Sequence, residues 1–160
     1  MDMKEKIMNA FQALGFVLDE LDDFGYGFEY EGINYIWMPD EEDEAFLYIG
    51  IPGVLDKSDV SEIVLYQLID KANATLKYVK VNTFGDSVWL FYERELYEEN
   101  ENLEHILSRM LVHLDASLQN FRQSVWRFKN DVEEAANFDD EDLQNFIDNM
   151  DVIDEQDNNN

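Results

Sequence analysis

A chain of 160 residues and 18.9 kDa fits one domain with one core, long enough to bury about two-thirds of the surface its unfolded form exposes. Apolar residues at 46% and aromatics at 14% exclude a wholly disordered chain. Thirty-seven Asp and Glu against eleven Lys and Arg leave a net charge of −26, which repels phosphate backbones and anionic lipid heads and favours cationic or apolar partners. No nucleic-acid or membrane partner is therefore expected. Cysteine is absent, which excludes disulfides, thiolate metal sites and thiol nucleophiles. The opening Met1-Asp2-Met3-Lys4-Glu5-Lys6 leads into no apolar signal segment, so a soluble cytoplasmic protein is expected.

Acid is unevenly spread. Residues 131–160 hold twelve carboxylates and no Lys or Arg, leaving −14 on the first 130. This predicts an α+β domain over 1–130 and an acidic C-terminal segment over 131–160, disordered after Ile153 where apolar residues cease.

The first helix is predicted from Asp2 or Met3 to Leu14, with Ile7, Phe11 and Leu14 on one face and Gly15 ending it. Residues 16–23 read as a short extended segment or a loop. Strands over 26–30 and 33–37 follow, because Tyr26, Phe28 and Tyr30, then Ile33, Tyr35 and Trp37, occupy alternate positions. Glu31-Gly32 suits a primed two-residue turn, which sets Tyr30 opposite Ile33, Phe28 opposite Tyr35 and Tyr26 opposite Trp37. A third strand over 45–51 is expected to end at Pro52-Gly53, after an acidic loop at 39–44.

Asp56 or Ser58 can cap a second helix running to about Asn73, with Val60, Ile63, Val64, Leu68 and Ala72 inward. Residues 75–81 and 87–95 then read as a second hairpin around Gly85-Asp86. The third helix starts near Asn100 or Asn102 and meets no Gly or Pro before about Lys129, a length of roughly 45 Å. Leu103, Ile106, Leu107, Met110, Leu111 and Leu114 give it a broad apolar face suited to a sheet. Beyond Leu114 the stripe narrows to Leu118, Phe121, Val125 and Phe128 at alternating steps of four and three, the spacing of a helix-on-helix seam. In the acidic segment Leu143, Phe146, Ile147 and Met150 form an i, i+3, i+4, i+7 stripe, which predicts a short amphipathic helix at about 140–153. Alone it is too short to persist, so it needs a surface: this chain's own core or another protein.

Reactive chemistry is hard to find. His105 and His113 stand two turns apart, about 12 Å along the helix axis, and cannot share a metal ion. The acidic runs at 39–44 and 139–142 lack the spaced oxygens and central glycine of a calcium loop. Phosphate-cradling glycine motifs and a nucleophile elbow are missing, and 37 carboxylates make any chosen acid pair uninformative. No cofactor and no catalytic residue is expected. Asn73-Ala74-Thr75 matches a glycosylation sequon, which means little without a secretory signal. Arg122, Arg127 and Lys129 suit a helix C-terminus or can receive the acidic tail. Trp126 lies beside the seam, where an exposed indole would serve as a partner anchor. The expected contact residues are thus Leu118, Phe121, Val125, Trp126 and Phe128 on the long helix, with Leu143, Phe146, Ile147 and Met150 in the tail.

The order α-β-β-β-α-β-β-α, carried by 26–37, 45–51, Tyr78-Val79-Lys80-Val81, Val88-Trp89-Leu90-Phe91-Tyr92 and the helix from Leu103, resembles the type III secretion chaperone-like fold. Within it the closer likeness is to the bacterial YbjN-like family, over roughly residues 3–129; the acidic tail departs from that pattern. The resemblance implies a two-layer α+β protein, helices against an antiparallel sheet, that binds polypeptide without catalysis and often pairs with itself as a homodimer. The leading expectation is a non-enzymatic protein-binding module, chaperone-like or regulatory. The alternative is an acidic inhibitor, of immunity or nucleic-acid-mimic type, that neutralises a basic partner.

Overall fold

The computed structural model describes residues 1–97, 100–137 (133–137 as backbone alone), 145, 148 and 149. It is an α+β structure of three helices and a six-stranded antiparallel sheet, and contacts divide the chain between Arg122 and Gln123. That division falls inside the last helix, upstream of the charge boundary at residue 131.

Helix α1 (Met3–Ala13) begins at Asp2, whose carboxylate accepts the Glu5 N–H at 2.7 Å. It ends as Gly15 predicts. Gly15 sits at φ +89°, its N–H donates to Gln12 C=O, and the Phe16 N–H reaches back to Phe11 C=O. This pair of reversed bonds closes the helix, and the Phe11 and Phe16 rings meet edge-on at 6.1 Å across it.

The segment read as ambiguous is a strand, β1 (Asp19–Leu21), followed by a 3-10 turn at Asp22–Phe24. Three exposed residues with acids behind them make a poor template for further pairing, which suits the sheet's outer edge. The hairpin β2 (Gly25–Tyr30) and β3 (Ile33–Trp37) has the expected register, with Phe28 opposite Tyr35 and Tyr26 opposite Trp37. Glu31 at φ +50° and Gly32 at φ +75° form the primed turn that fixes it.

Strand β4 (Phe46–Asp56) corrects the expected stop at Pro52-Gly53. The chain passes both residues in a bulge between Ile51 and Leu55 and pairs again, Leu55 with Val88. A bulge interrupts the ladder where proline has no N–H to give, so proline bends the strand here without ending it. Asp56 caps only a 3-10 turn, Lys57–Asp59, and Ser61 caps α2 (Glu62–Thr75). The inward face of α2 also differs: Leu65, Leu68 and Ala72 are buried, whereas Ile63 is 72% exposed.

Asn73 accounts for that rotation. Its amide donates to Val81 C=O and accepts the Val81 N–H, both at 2.7 Å, so α2 is locked against β5 (Val79–Phe84). The side chain stands where a neighbouring strand's main chain would be and covers an otherwise open edge. With both amide atoms engaged, the sequon asparagine has no nitrogen to offer in the folded chain. Strand β5 starts at Val79, later than expected, because Tyr78 takes φ +67°. It pairs with β6 (Ser87–Glu95), which returns beside β4 to give the order β1-β2-β3-β4-β6-β5.

Helix α3 (Leu103–Asn137) is capped by Asn102, which accepts the His105 N–H, and runs 35 residues. Its start is tied to the end of β6 by Glu101, which pairs with Arg94 at 2.6 Å and accepts the Tyr97 N–H. Ile106, Leu107, Met110, Leu111 and Leu114 are all buried, as the broad stripe predicts. One sheet face carries Phe28, Tyr35, Trp37, Leu47, Ile49, Ile51, Val81 and Leu90, all buried. Phe11 of α1 packs on Phe28 and Trp37 at 4.9 and 5.5 Å, while His113 of α3 meets Tyr92. Among the described residues no helix is long and apolar enough to cross a membrane.

Candidate functional site

The opposite face of the sheet has a different character. Strand alternation sends Phe46, Tyr48 and Gly50 of β4, with Trp89 and Phe91 of β6, away from the Leu47-Ile49-Ile51 side. Their rings touch in series: Phe46 to Tyr48 at 5.2 Å, Tyr48 stacked on Phe91 at 5.2 Å, and Phe91 stacked on Trp89 at 5.7 Å. The row continues from Trp89 to Phe84 at 5.0 Å and edge-on to Phe24 at 6.2 Å. Six aromatic side chains from four stretches of sequence thus form one ladder.

The middle of the ladder is a small core in its own right. Ile36, Trp89 and Phe91 are buried, Met38 and Tyr48 pack on them, and among the described residues this cluster draws on no helix. Gly50 makes room, since a Cβ there would come within 3.1 Å of both Phe91 and Met38. The ladder's far end is open, with Phe24 52% and Phe84 49% exposed. Exposed rings in one contiguous row are the surface signature of a binding site.

A groove of about 580 Å³ reaches this small core at Ile36 and is lined as well by Phe16, Phe28 and Tyr35 of the helix-covered side. Leu21 and Pro52 give it apolar walls, and Leu21 packs over Gly27, where a Cβ would come within 3.1 Å of it. Asp19 and Glu29 are its charged lining residues. Along the ladder itself Glu95 lies opposite Phe46 and Glu93 opposite Tyr48; Glu93 is held by Lys80 at 2.9 Å. Burial, and then the Glu93 charge, raises the Tyr48 phenol above its ordinary pKa and keeps it neutral. This is an apolar platform rimmed with negative charge.

The residues expected from the sequence are placed otherwise. Leu118 and Phe121 are fully buried, which corrects their assignment as open contact residues: the broad face of α3 simply continues into core. Val125 and Phe128 are half-buried, and Trp126, beside the seam, is 63% exposed. Leu143, Phe146, Ile147 and Met150, with the tail helix they would build, lie outside the described residues. His105 is exposed, and His113 packs against Tyr78 at 4.9 Å with Arg109 beside it at 3.5 Å. Among the described residues no group of three His, Asp or Glu side chains is placed to hold a metal ion. The ladder itself went unforeseen. Its signal is present in β4 and β6, whose apolar residues occupy both alternating sets; a strand apolar on both sides has a second surface to cover.

No protein-family model matches this sequence, and no curated protein matches it.

Proposed function

We propose that this protein is a non-enzymatic polypeptide-binding module, chaperone-like or regulatory, that seats a client segment on the ladder face and its groove. The observation that carries the reading is the continuous row from Phe46 to Phe24, open at its Phe24–Phe84 end and rimmed by carboxylates. Rings of this kind bury large area at little entropic cost, which is what binding segments of varied sequence requires. The acid excess acts on encounter rate and on the preference for basic clients, while affinity comes from the apolar anchors. Likeness to the YbjN-like and secretion-chaperone pattern supports the same style of action.

The test is fluorescence anisotropy with a labelled peptide of alternating phenylalanine and lysine, at about 0.1 M and about 0.5 M sodium chloride. Binding that persists at the higher salt and weakens at least tenfold in the Phe24→Ser/Phe84→Ser double variant is expected. Binding that collapses with salt and ignores those substitutions would overturn the reading in favour of an acidic neutraliser of basic proteins.

A further inference from the structure

Strand β5 falls short of its partner. Its pairing begins at Val79 with Tyr92, yet β6 runs on to Glu95 with β4 alone beside it. The cause is Tyr78, whose φ of +67° turns the main chain out of the strand direction, a costly conformation for an aromatic residue. The shortfall leaves a notch of about 410 Å³, lined by Tyr78, Tyr92, Glu93, Arg94, Glu95 and Tyr97. Tyr78 is 64% and Tyr97 77% exposed.

Hydrogen-bond alternation decides which main-chain groups face the notch. On the far side of β6 the Leu96 N–H donates to Ala45 C=O of the β4 side. On β5 Val81 turns both its groups outward to Asn73, so Lys80 is the residue that exchanges bonds with Phe91. Counting in steps of two along β6 from Leu96 or from Phe91 gives the same answer: the N–H and C=O of Glu95 point away from β4 and into the notch. Among the described residues neither group has a hydrogen-bond partner. An open donor and acceptor at strand spacing are the template on which another strand adds. Side chains sort by the same alternation, Glu95 to the ladder side with Phe91 and Arg94 to the other side with Tyr92. Arg94 is neutralised by Glu101 at 2.6 Å, whereas the Glu95 carboxylate has no ion-pair partner among the described residues.

We propose that the notch takes an extended segment of a polypeptide partner, added antiparallel to β6 in line with β5, with a basic residue opposite Glu95 followed by an aromatic one opposite Arg94. The basic residue exchanges both main-chain bonds with Glu95 and sets its charge beside the free carboxylate. The aromatic residue meets the Tyr78 ring, which stacks on Tyr92 at 6.0 Å. Strand β5 blocks further pairing beyond this point, so the recognised motif is short. The inference rests on the polypeptide-binding reading and deepens it, at the sheet's edge instead of on its face.

The experiment titrates acetyl-Thr-Lys-Phe-Thr-amide into the full-length protein and follows the Glu95 amide by NMR. Controls are the same peptide N-methylated at its lysine, which has no N–H for the Glu95 carbonyl, the acetyl-Thr-Glu-Phe-Thr-amide analogue, and matched sodium chloride. Expected is a saturable shift and slowed exchange of the Glu95 amide. Affinity should fall at least tenfold on N-methylation and at least threefold with the glutamate analogue or in Glu95→Gln, and should be unchanged in Phe24→Ser/Phe84→Ser. A Glu95 amide that stays still, a shift reproduced by salt, or binding indifferent to N-methylation or to Glu95→Gln would overturn it. If the phenylalanine–lysine peptide depends on Phe24 and Phe84 while the tetrapeptide leaves Glu95 unmoved, the notch assignment fails alone. The reverse result sinks only the ladder reading.

Discussion

The two faces of this sheet carry similar aromatic wealth and put it to opposite ends. On the helix-covered side Tyr26 stacks on Trp37 and Phe28 on Tyr35, with Phe11 of the first helix and Phe16 just beyond its end closing over Phe28. On the other side Phe46, Tyr48, Phe91, Trp89, Phe84 and Phe24 meet one another in a row whose cluster, among the described residues, draws on no helix. Composition cannot tell these arrays apart; cover does. An aromatic row closed by helices is core, and the same chemistry on the other face is left partly open, at Phe24 and Phe84.

The sharpest way to break that contrast is to remove a side chain from the covered array. Phe11→Ala empties a fully buried site between three rings and should cost about 3–5 kcal/mol in urea unfolding. A loss below about 1 kcal/mol would mean that the helix-covered side is not where stability resides. Next comes Gly50→Val, which drives a branched side chain into Phe91 and Met38. It should cost about 1–3 kcal/mol and displace the Trp89 indole signal while leaving Trp37 nearly unmoved.

Tyr35→Phe addresses the covered face from within. The Tyr35 hydroxyl is fully buried and has no partner among the described residues, so its removal should leave stability within about 1 kcal/mol of wild type, on the favourable side. Burial first, then the charge of Asp115, pushes this phenol far above its ordinary pKa. A raised pKa gives stability that is complete below the unfolded value of about 10 and is lost as pH climbs above it. Wild type should therefore weaken in alkali, and Tyr35→Phe should flatten that limb of the urea-midpoint profile.

The smallest effect on folding is expected at the open end of the ladder. Phe84→Ser removes a half-exposed ring and should change stability by less than about 1 kcal/mol. Its effect should appear in peptide binding. If Phe84→Ser unfolds the protein, the two arrays do the same work and the contrast fails.

Much of the covered face was legible in the sequence, because its signals are local. Glu31-Gly32 dictates a primed turn, the turn dictates register, and register pairs Phe28 with Tyr35 and Tyr26 with Trp37. Gly15 ends the first helix for a reason contained in the six residues from Phe11 to Phe16. The ladder was not legible as a site, since it joins Phe24, Phe46, Tyr48, Phe84, Trp89 and Phe91 across sixty-odd positions of chain. Its assembly needs the return of β6 beside β4 and the bulge that carries β4 past Pro52. Leu118 and Phe121 mislead for the same reason, because a stripe at helical spacing records that something covers it and is silent on whether that cover is the chain's own core.

The sequence by itself determined periodicity, turn chemistry, caps and the charge excess, each of which depends on neighbours a few bonds apart. Tertiary structure alone decided which apolar surfaces are closed over. That outcome depends on which helix reaches which strand: Phe11 onto Phe28, Asn73 onto Val81, and, among the described residues, no helical one in the cluster around Phe91.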